Sequence, residues 1–222
     1  MPLLQKVDSP QHEAELLRRC RSLEGLSLLQ LGILINTPPP VNPLQRKGWV
    51  GQALEFVLGA SAGNHATPDF PHLGIELKTI PINHLGKPAQ STFVTSISLL
   101  TIHKETWQSS QCFSKLKRVL WVPVEADQHI PFSHRRIGRA ILWSPSTQEE
   151  AILCADWSEL SLMIGTGRLA EIDAKQGQFL QVRPKAANTK ALCYGFDEHG
   201  NKIQTLPRGF YLRSCFTERV LS

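Results

Sequence analysis

A chain of 222 residues is long enough for one sizeable α/β domain, or for one domain split into two lobes, and with 41% hydrophobic and 19% charged residues it packs a core instead of remaining disordered. The formal net charge of +5 leans toward a polyanionic partner without demanding one. Five widely spaced cysteines (Cys20, Cys112, Cys154, Cys193 and Cys215) with no C-x-x-C pair argue against a disulfide framework or a structural zinc site and for reduced thiols.

The first residues lack the long apolar core of a signal peptide, and the most apolar stretch, residues 26–35, is interrupted by Ser27, Gln30 and Gly32 and is too short to span a bilayer. A soluble cytoplasmic protein is expected. Ser9-Pro10 predicts a helix start, with Ser9 as N-cap and Pro10 at the first helical position, running to about Arg21 with Ala14, Leu17 and Cys20 on one face. A second short helix is predicted over residues 27–35. The run Thr37-Pro38-Pro39-Pro40-Val41-Asn42-Pro43 then breaks regular structure. Residues 48–58 read as a third helix.

Strands follow over residues 73–80 and 92–99. Residues 118–124 are apolar enough for a central strand, until Pro123 interrupts the donor ladder. Another short strand covers residues 140–143. Ser146-Thr147-Gln148-Glu149 forms a capping box for a long helix ending near Gly165. From Gln178 onward, short strands alternate with basic loops. Helices around a mixed central sheet make the class α/β (α+β).

One segment carries chemistry: Pro68-Asp69-Phe70-Pro71-His72-Leu73-Gly74-Ile75-Glu76-Leu77-Lys78. With the period of two of a strand, Ile75 and Leu77 face a core, while Glu76 and Lys78 stand side by side on the other face. Asp69 lies just before the strand, in a proline-flanked turn that can bring its carboxylate back to Glu76. Two converging carboxylates suit Mg²⁺, which polarises a phosphodiester and acidifies a bound water. A lysine beside them orients the water and offsets charge in the transition state. An E-x-K pair alone equally describes an exposed strand with cross-strand ion pairs, and the upstream Asp69 narrows the pattern.

Glu55 adds to it. At helical spacing, Val50, Ala53, Leu54, Val57 and Leu58 make a core face, and Glu55 shares its side with Gly48, Gly51, Gln52 and Gly59. A glycine-lined side permits close approach by a strand or a ligand; an exposed glutamate beside glycines used for tight packing is the plainer reading.

Several words now fall into place in order. They are Arg46-Lys47-Gly48-Trp49, Leu54-Glu55, Leu58-Gly59-Ala60-Ser61-Ala62-Gly63, Asp69, and Gly74-Ile75-Glu76-Leu77-Lys78-Thr79-Ile80-Pro81. Thr92-Phe93-Val94, Lys115-Leu116-Lys117-Arg118-Val119-Leu120-Trp121 and Leu142-Trp143-Ser144-Pro145 come next, then Arg183-Pro184-Lys185-Ala186-Ala187-Asn188 and Leu206-Pro207-Arg208-Gly209-Phe210-Tyr211. Over residues 46–216 this series resembles the MutH family of mismatch-repair strand-nicking endonucleases, within the PD-(D/E)XK class.

The resemblance implies a restriction-endonuclease-like fold: one nuclease domain in two lobes around a DNA cleft, the metal site mainly in residues 46–120 and the DNA-reading lobe mainly in 121–222. It implies magnesium-dependent nicking of the unmethylated strand 5′ of the G at hemimethylated GATC sites. Asp69, Glu76 and the Leu77 carbonyl would hold one or two Mg²⁺ ions, with Glu55 as an additional catalytic carboxylate and possible further ligand. Lys78 would be the motif lysine and Lys115 a second active-site lysine. Activation by MutL, downstream of MutS, is implied as well. One nick per site suits a monomer, because a symmetric dimer would present two active sites to a palindrome.

Residues 183–213 hold six Lys or Arg and two acids, with Tyr194, Phe196, Phe210 and Tyr211 interleaved. By resemblance, Arg183, Pro184 and Tyr211 line the recognition surface, with Arg183 reading guanine bidentately and Pro184 and Tyr211 sensing the adenine methyl. Phe93 resembles a residue of the other lobe that packs on bases from the opposite side. Lys47, Lys185 and Arg208 are assigned to phosphates, which position a duplex without reading it. The eight histidines show no metal-binding spacing, and Trp121, Trp143 and Trp157 are expected in the core. Two alternatives stand beside this reading: a GATC-specific restriction endonuclease, and a non-catalytic reader of methylation state.

Overall fold

The computed structural model describes residues 7–63, 67–173, 175–185 and 191–222, with Lys47 described in its backbone alone. The chain divides into two compact units. The first comprises residues 1–89 and 117–144 with Leu221; the second comprises residues 90–116 and 145–220 with Ser222.

In the first unit, α1 (Glu13–Leu23) buries Leu16, Cys20 and Leu23. It begins later than Ser9-Pro10 predicts, with His12 at the N-cap, and Ala14 is exposed. Ser9 does not cap a helix: its carbonyl accepts from the Gln11 side chain, and Glu15 folds back onto the Gln11 N–H. For α2 (Leu28–Leu34), Ser27 and Gln30 form a reciprocal capping box. For α3 (Pro43–Leu58), Asn42 accepts from the Leu44 N–H and Pro43 occupies the first turn, so the last proline of the breaking run starts the helix. The helix ends at Gly59, in the left-handed conformation at φ 82°, where a Cβ would lie 2.4 Å from the Asp8 carbonyl oxygen.

Three strands complete this unit, in the order β1 (Glu76–Ile82), β3 (Val119–Glu125), β4 (Ile141–Trp143). The pair β1–β3 is parallel, with Glu76 opposite Val119, and β3–β4 is antiparallel. Leu28, Leu54, Leu58, Phe70, Ile75 and Leu120 pack in one buried cluster between the helices and the sheet. Burial of each large aliphatic side chain contributes about 1.5–3 kcal/mol.

Contrary to the break expected at Pro123, β3 runs through it to Glu125. The Arg118 carbonyl accepts the Glu76 N–H and the Ile82 carbonyl accepts the Ala126 N–H, so even-numbered backbone groups serve β1. Pro123 therefore turns its missing N–H toward β4, whose pairing covers only Val119–Trp121. No ladder bond is lost.

The second unit holds β2 (Thr92–Ser96), β5 (Leu180–Pro184) and β8 (Arg208–Leu212) as an antiparallel sheet in the order β2-β8-β5, and a hairpin of β6 (Cys193–Phe196) with β7 (Lys202–Thr205). Its helices are α4 (Gln111–Leu116), α5 (Thr147–Gly165) and α6 (Ser214–Leu221). Ser146 and Glu149 cap α5 as predicted. The helix α6 lies where short strands and loops were expected. Trp107, Trp157, Phe179, Phe210 and Phe216 are buried in this unit, and none of the five cysteines is in a disulfide. Among the described residues no helix is long and apolar enough to cross a membrane.

Candidate active site

Two local hydrogen-bond systems bring Asp69 to the start of β1. Phe70 and Ile75 pair as an isolated antiparallel bridge, with Phe70 N–H to Ile75 O at 2.9 Å and the reverse bond at 3.3 Å. Gly74, at φ 66°, closes the turn between them. The chain thus doubles back on itself, and Asp69 Oδ2 accepts the Leu77 N–H at 2.8 Å. The Asp69 carbonyl accepts from Ser61 and Ala62, which tethers the turn to the segment leaving α3.

Strand position explains why Leu77 donates there. Glu76 gives its N–H to the Arg118 carbonyl, just ahead of β3, so the N–H and carbonyl of the next residue face away from β3, along the open edge of the sheet. The Leu77 carbonyl therefore lies on the same side as the Asp69 carboxylate. Glu76 and Lys78 share the other side-chain direction, and Glu76 Oε1 meets Lys78 Nζ at 2.8 Å. Asp69 is 7% and Glu76 4% exposed, so both acids leave water. Burying a charge costs several kcal/mol unless it is paired, roughly; the Leu77 amide and the Lys78 ammonium provide that pairing.

Glu55 sits in the penultimate part of α3, half-exposed. A Cβ on Gly51 would lie 4.0 Å from Glu55 Oε1, an ordinary van der Waals contact, so the carboxylate does not require a glycine there. The Glu55 carbonyl accepts the Ala60 N–H, just ahead of the residues that bind Asp69. Among the described residues no three His, Cys, Asp or Glu side chains gather at metal-binding range. Asp69, Glu76 and the edge carbonyl of Leu77 offer only oxygen donors, the chemistry a hard divalent cation prefers. Lys115 belongs to the second unit, on α4, buried, three residues before Arg118 in the chain.

Phe93, Arg183, Lys185 and Tyr211 gather on one face of the β2-β8-β5 sheet, whereas Pro184 and Arg208 take the alternate strand parity and Lys47 belongs to α3 of the first unit. Tyr211 on β8 stands between Phe93 on β2 and Gln181 on β5. Phe93 meets Tyr211 edge-on, with centroids 5.3 Å apart, and Arg183 lies 5.9 Å above the Tyr211 ring. Lys185 Nζ sits 3.7 Å from the Phe93 centroid and donates to Ser96 Oγ. Arg183 Nη1 donates to Ser91 Oγ at 2.8 Å. Phe93 is therefore in the same unit and sheet as Arg183 and Tyr211, whereas the sequence reading sets it on the opposite lobe. The cause is pairing: β2 is the edge partner of β8, a contact between residues about 118 positions apart that no local pattern signals.

Burial raises the Tyr211 hydroxyl above its ordinary range, with the Arg183 guanidinium pulling the other way. Pro184 is exposed and paired with Arg208. Burial holds the Arg208 guanidinium below its ordinary range, and its Nε finds no hydrogen-bond partner. The side chain of Lys47 and residues 186–188 of the basic word lie outside the described residues. Ser91, Ser96 and Gly209 complete this face and escaped sequence reasoning. Gly209 is diagnostic, because a Cβ there would come within 2.8 Å of Phe93 Cε2 and 3.0 Å of the Thr95 carbonyl oxygen.

Residues 58–156 match a family model described as DNA mismatch repair enzyme MutH. The chain is 49% identical over 212 residues to the DNA mismatch repair protein MutH of Vibrio campbellii (strain ATCC BAA-1116), covering 96% of this chain and 94% of that protein. It is 48% identical over 213 residues to the protein of the same name from Vibrio cholerae serotype O1 (strain ATCC 39541 / Classical Ogawa 395 / O395), covering 96% of each. With the MutH of Shewanella oneidensis, identity is 46% over 219 residues, or 99% and 98% of the two chains.

Proposed function

Because the chain belongs to the MutH family of DNA mismatch repair enzymes, we propose that its two buried carboxylates and paired lysine nick the unmethylated strand 5′ of the G at hemimethylated GATC sites. The protein is a methyl-directed DNA mismatch repair endonuclease, and DNA is its substrate. The observation that carries the residue assignment is the closure of Asp69 onto Leu77 beside the Glu76–Lys78 pair.

In this reading the fold is restriction-endonuclease-like, the first unit cuts and the second reads. Asp69, Glu76 and the Leu77 carbonyl hold magnesium, as one ion or two, with Glu55 as a further carboxylate. Bound there, the cation would acidify a water and polarise the scissile phosphodiester. Lys78, held by Glu76, orients the attacking water and offsets the charge growing on the phosphate oxygens. Lys115 supplies a second cation. Arg183 reads guanine through its bidentate fork. Pro184 and Tyr211 meet the adenine edge, where a methyl group removes an N6 proton and adds bulk, and Phe93 packs on the bases. Lys47, Lys185 and Arg208 neutralise phosphates. The enzyme acts as a monomer in the cytoplasm, switched on by MutL after MutS has found the mismatch.

The test uses a supercoiled circle with one GATC site, prepared unmethylated, hemimethylated and fully methylated, with Mg²⁺ and the activating ATPase. Relaxed circles from the first two substrates and none from the third are expected. Linear product from a concerted double-strand cut would favour the restriction enzyme. Binding without any nick would favour the non-catalytic reader.

A further inference from the structure

A third buried carboxylate has no part in the chemistry above. Asp156 lies in the middle of α5, 6% exposed, and accepts three consecutive backbone N–H groups: Gln178 on Oδ1 at 2.8 Å, and Phe179 and Leu180 on Oδ2 at 2.7 and 2.8 Å. Consecutive amides converge in this way only where the chain turns tightly. Gly177 makes that turn at φ 78°, where a Cβ would lie 1.9 Å from the Leu180 carbonyl oxygen.

The carbonyls of the same turn are held from the other side. Arg213 donates Nε to Gly177 O at 3.0 Å and Nη2 to Gln176 O at 2.7 Å, and its own N–H reaches Phe179 O at 2.8 Å. Arg213 directly follows β8, whose last residue, Leu212, pairs with Leu180, the first of β5. An anion takes the donors of the turn, and a cation takes its acceptors.

Everything downstream depends on this start. The register places Gln181 beside Tyr211 and Arg183 beside Gly209. A slip of one residue in β5 would send Arg183 to the core face. We propose that Asp156 and Arg213 clamp the Gln176–Leu180 turn to set the register of β5, and that they are positioning residues for sequence discrimination through Arg183. This rests on the base-reading role given to Arg183 above.

The test compares Asp156→Asn, Arg213→Lys and Arg183→Ala in the full chain. The readout is the ratio of nicking rates on hemimethylated GATC and on duplexes with one base pair changed, together with the salt slope of binding. Asparagine keeps the shape but loses the charge that draws three amides, and lysine keeps the charge but loses the fork. Each clamp variant is expected to lower the ratio about tenfold or more, the scale of one lost bidentate base contact. The salt slope stays unchanged, and neither variant lowers the ratio further when Arg183 is already alanine. A lower Tm with an unchanged ratio, or an equal slowing on every duplex, overturns the proposal. If Asp156→Asn does not fold, Arg213→Lys decides alone. If Arg183→Ala itself leaves the ratio unchanged, the base-reading role fails; if only the clamp variants leave it unchanged, the clamp fails.

Discussion

The carboxylate of Asp69 holds the backbone of Leu77, eight residues further along the chain, through one 2.8 Å hydrogen bond. That bond ties an acid outside the sheet to the open edge of β1, next to the Glu76–Lys78 pair. Asp69→Asn keeps the shape but offers Leu77 a neutral acceptor and the metal a weaker ligand. Metal affinity is expected to fall by at least about 10–100-fold, the loss that follows when only an outer partner of a metal ligand is removed. The measurement is the Mg²⁺ dependence of nicking; an unchanged midpoint would remove Asp69 from the metal site.

Arg183 on β5 and Lys185, just past the end of that strand, are expected to fail in different ways. Arg183→Ala should cost roughly 1–3 kcal/mol of discrimination at one base position. Lys185→Ala should weaken binding across sequences and reduce the salt slope by about one. Binding isotherms at several salt concentrations, on cognate and altered duplexes, separate the two. A Lys185 variant with altered sequence choice and an unchanged slope would reverse its assignment.

Gly209→Ala drives a methyl against Phe93 and the Thr95 carbonyl. The ring can rotate, but the backbone oxygen of the paired strand cannot yield without shifting β2. Overpacking of this kind costs typically about 1–3 kcal/mol, which a lower urea midpoint would report. Discrimination should fall with it, since Phe93 and Tyr211 share the displaced ladder. A variant as stable and as selective as the parent would contradict the geometry.

Burial pushes the Cys20 thiol up to about 11 from an ordinary value of 9.0. The folded value is the higher one, so this group's contribution to stability is complete below pH 9.0 and is lost as pH rises towards about 11, where the unfolded chain ionises first. Alkylation at pH 8.5, read by peptide mass, should modify the exposed Cys215 rapidly and Cys20 only on unfolding. Equal rates at the two thiols would show that α1 does not cover Cys20.

The candidate catalytic segment is legible because its information is local. The period of two in β1 puts Glu76 and Lys78 together, and the flanking prolines mark the turn that returns Asp69, although Gly74 belongs to that turn and not to the strand expected over residues 73–80. The capping boxes of α2 and α5 are equally local. Ser9-Pro10 offered the same kind of signal and was overridden, because Ser9 and Glu15 make other hydrogen bonds around Gln11. The proline run reads as a breaker, yet Asn42 before Pro43 makes a helix start. Long-range pairing was invisible: nothing near Phe93 reports that β2 will lie against β8, and nothing near Asp156 reports that its carboxylate will meet three amides over twenty residues away.

The most direct measurement maps the nick on a hemimethylated duplex with a single GATC site, end-labelled on each strand in turn, using the parent chain and Glu76→Ala with Mg²⁺ and the activating ATPase. The account predicts one product, cut 5′ of the G on the unmethylated strand, and none from the variant. A cut on the methylated strand, or an undiminished rate without Glu76, would contradict it.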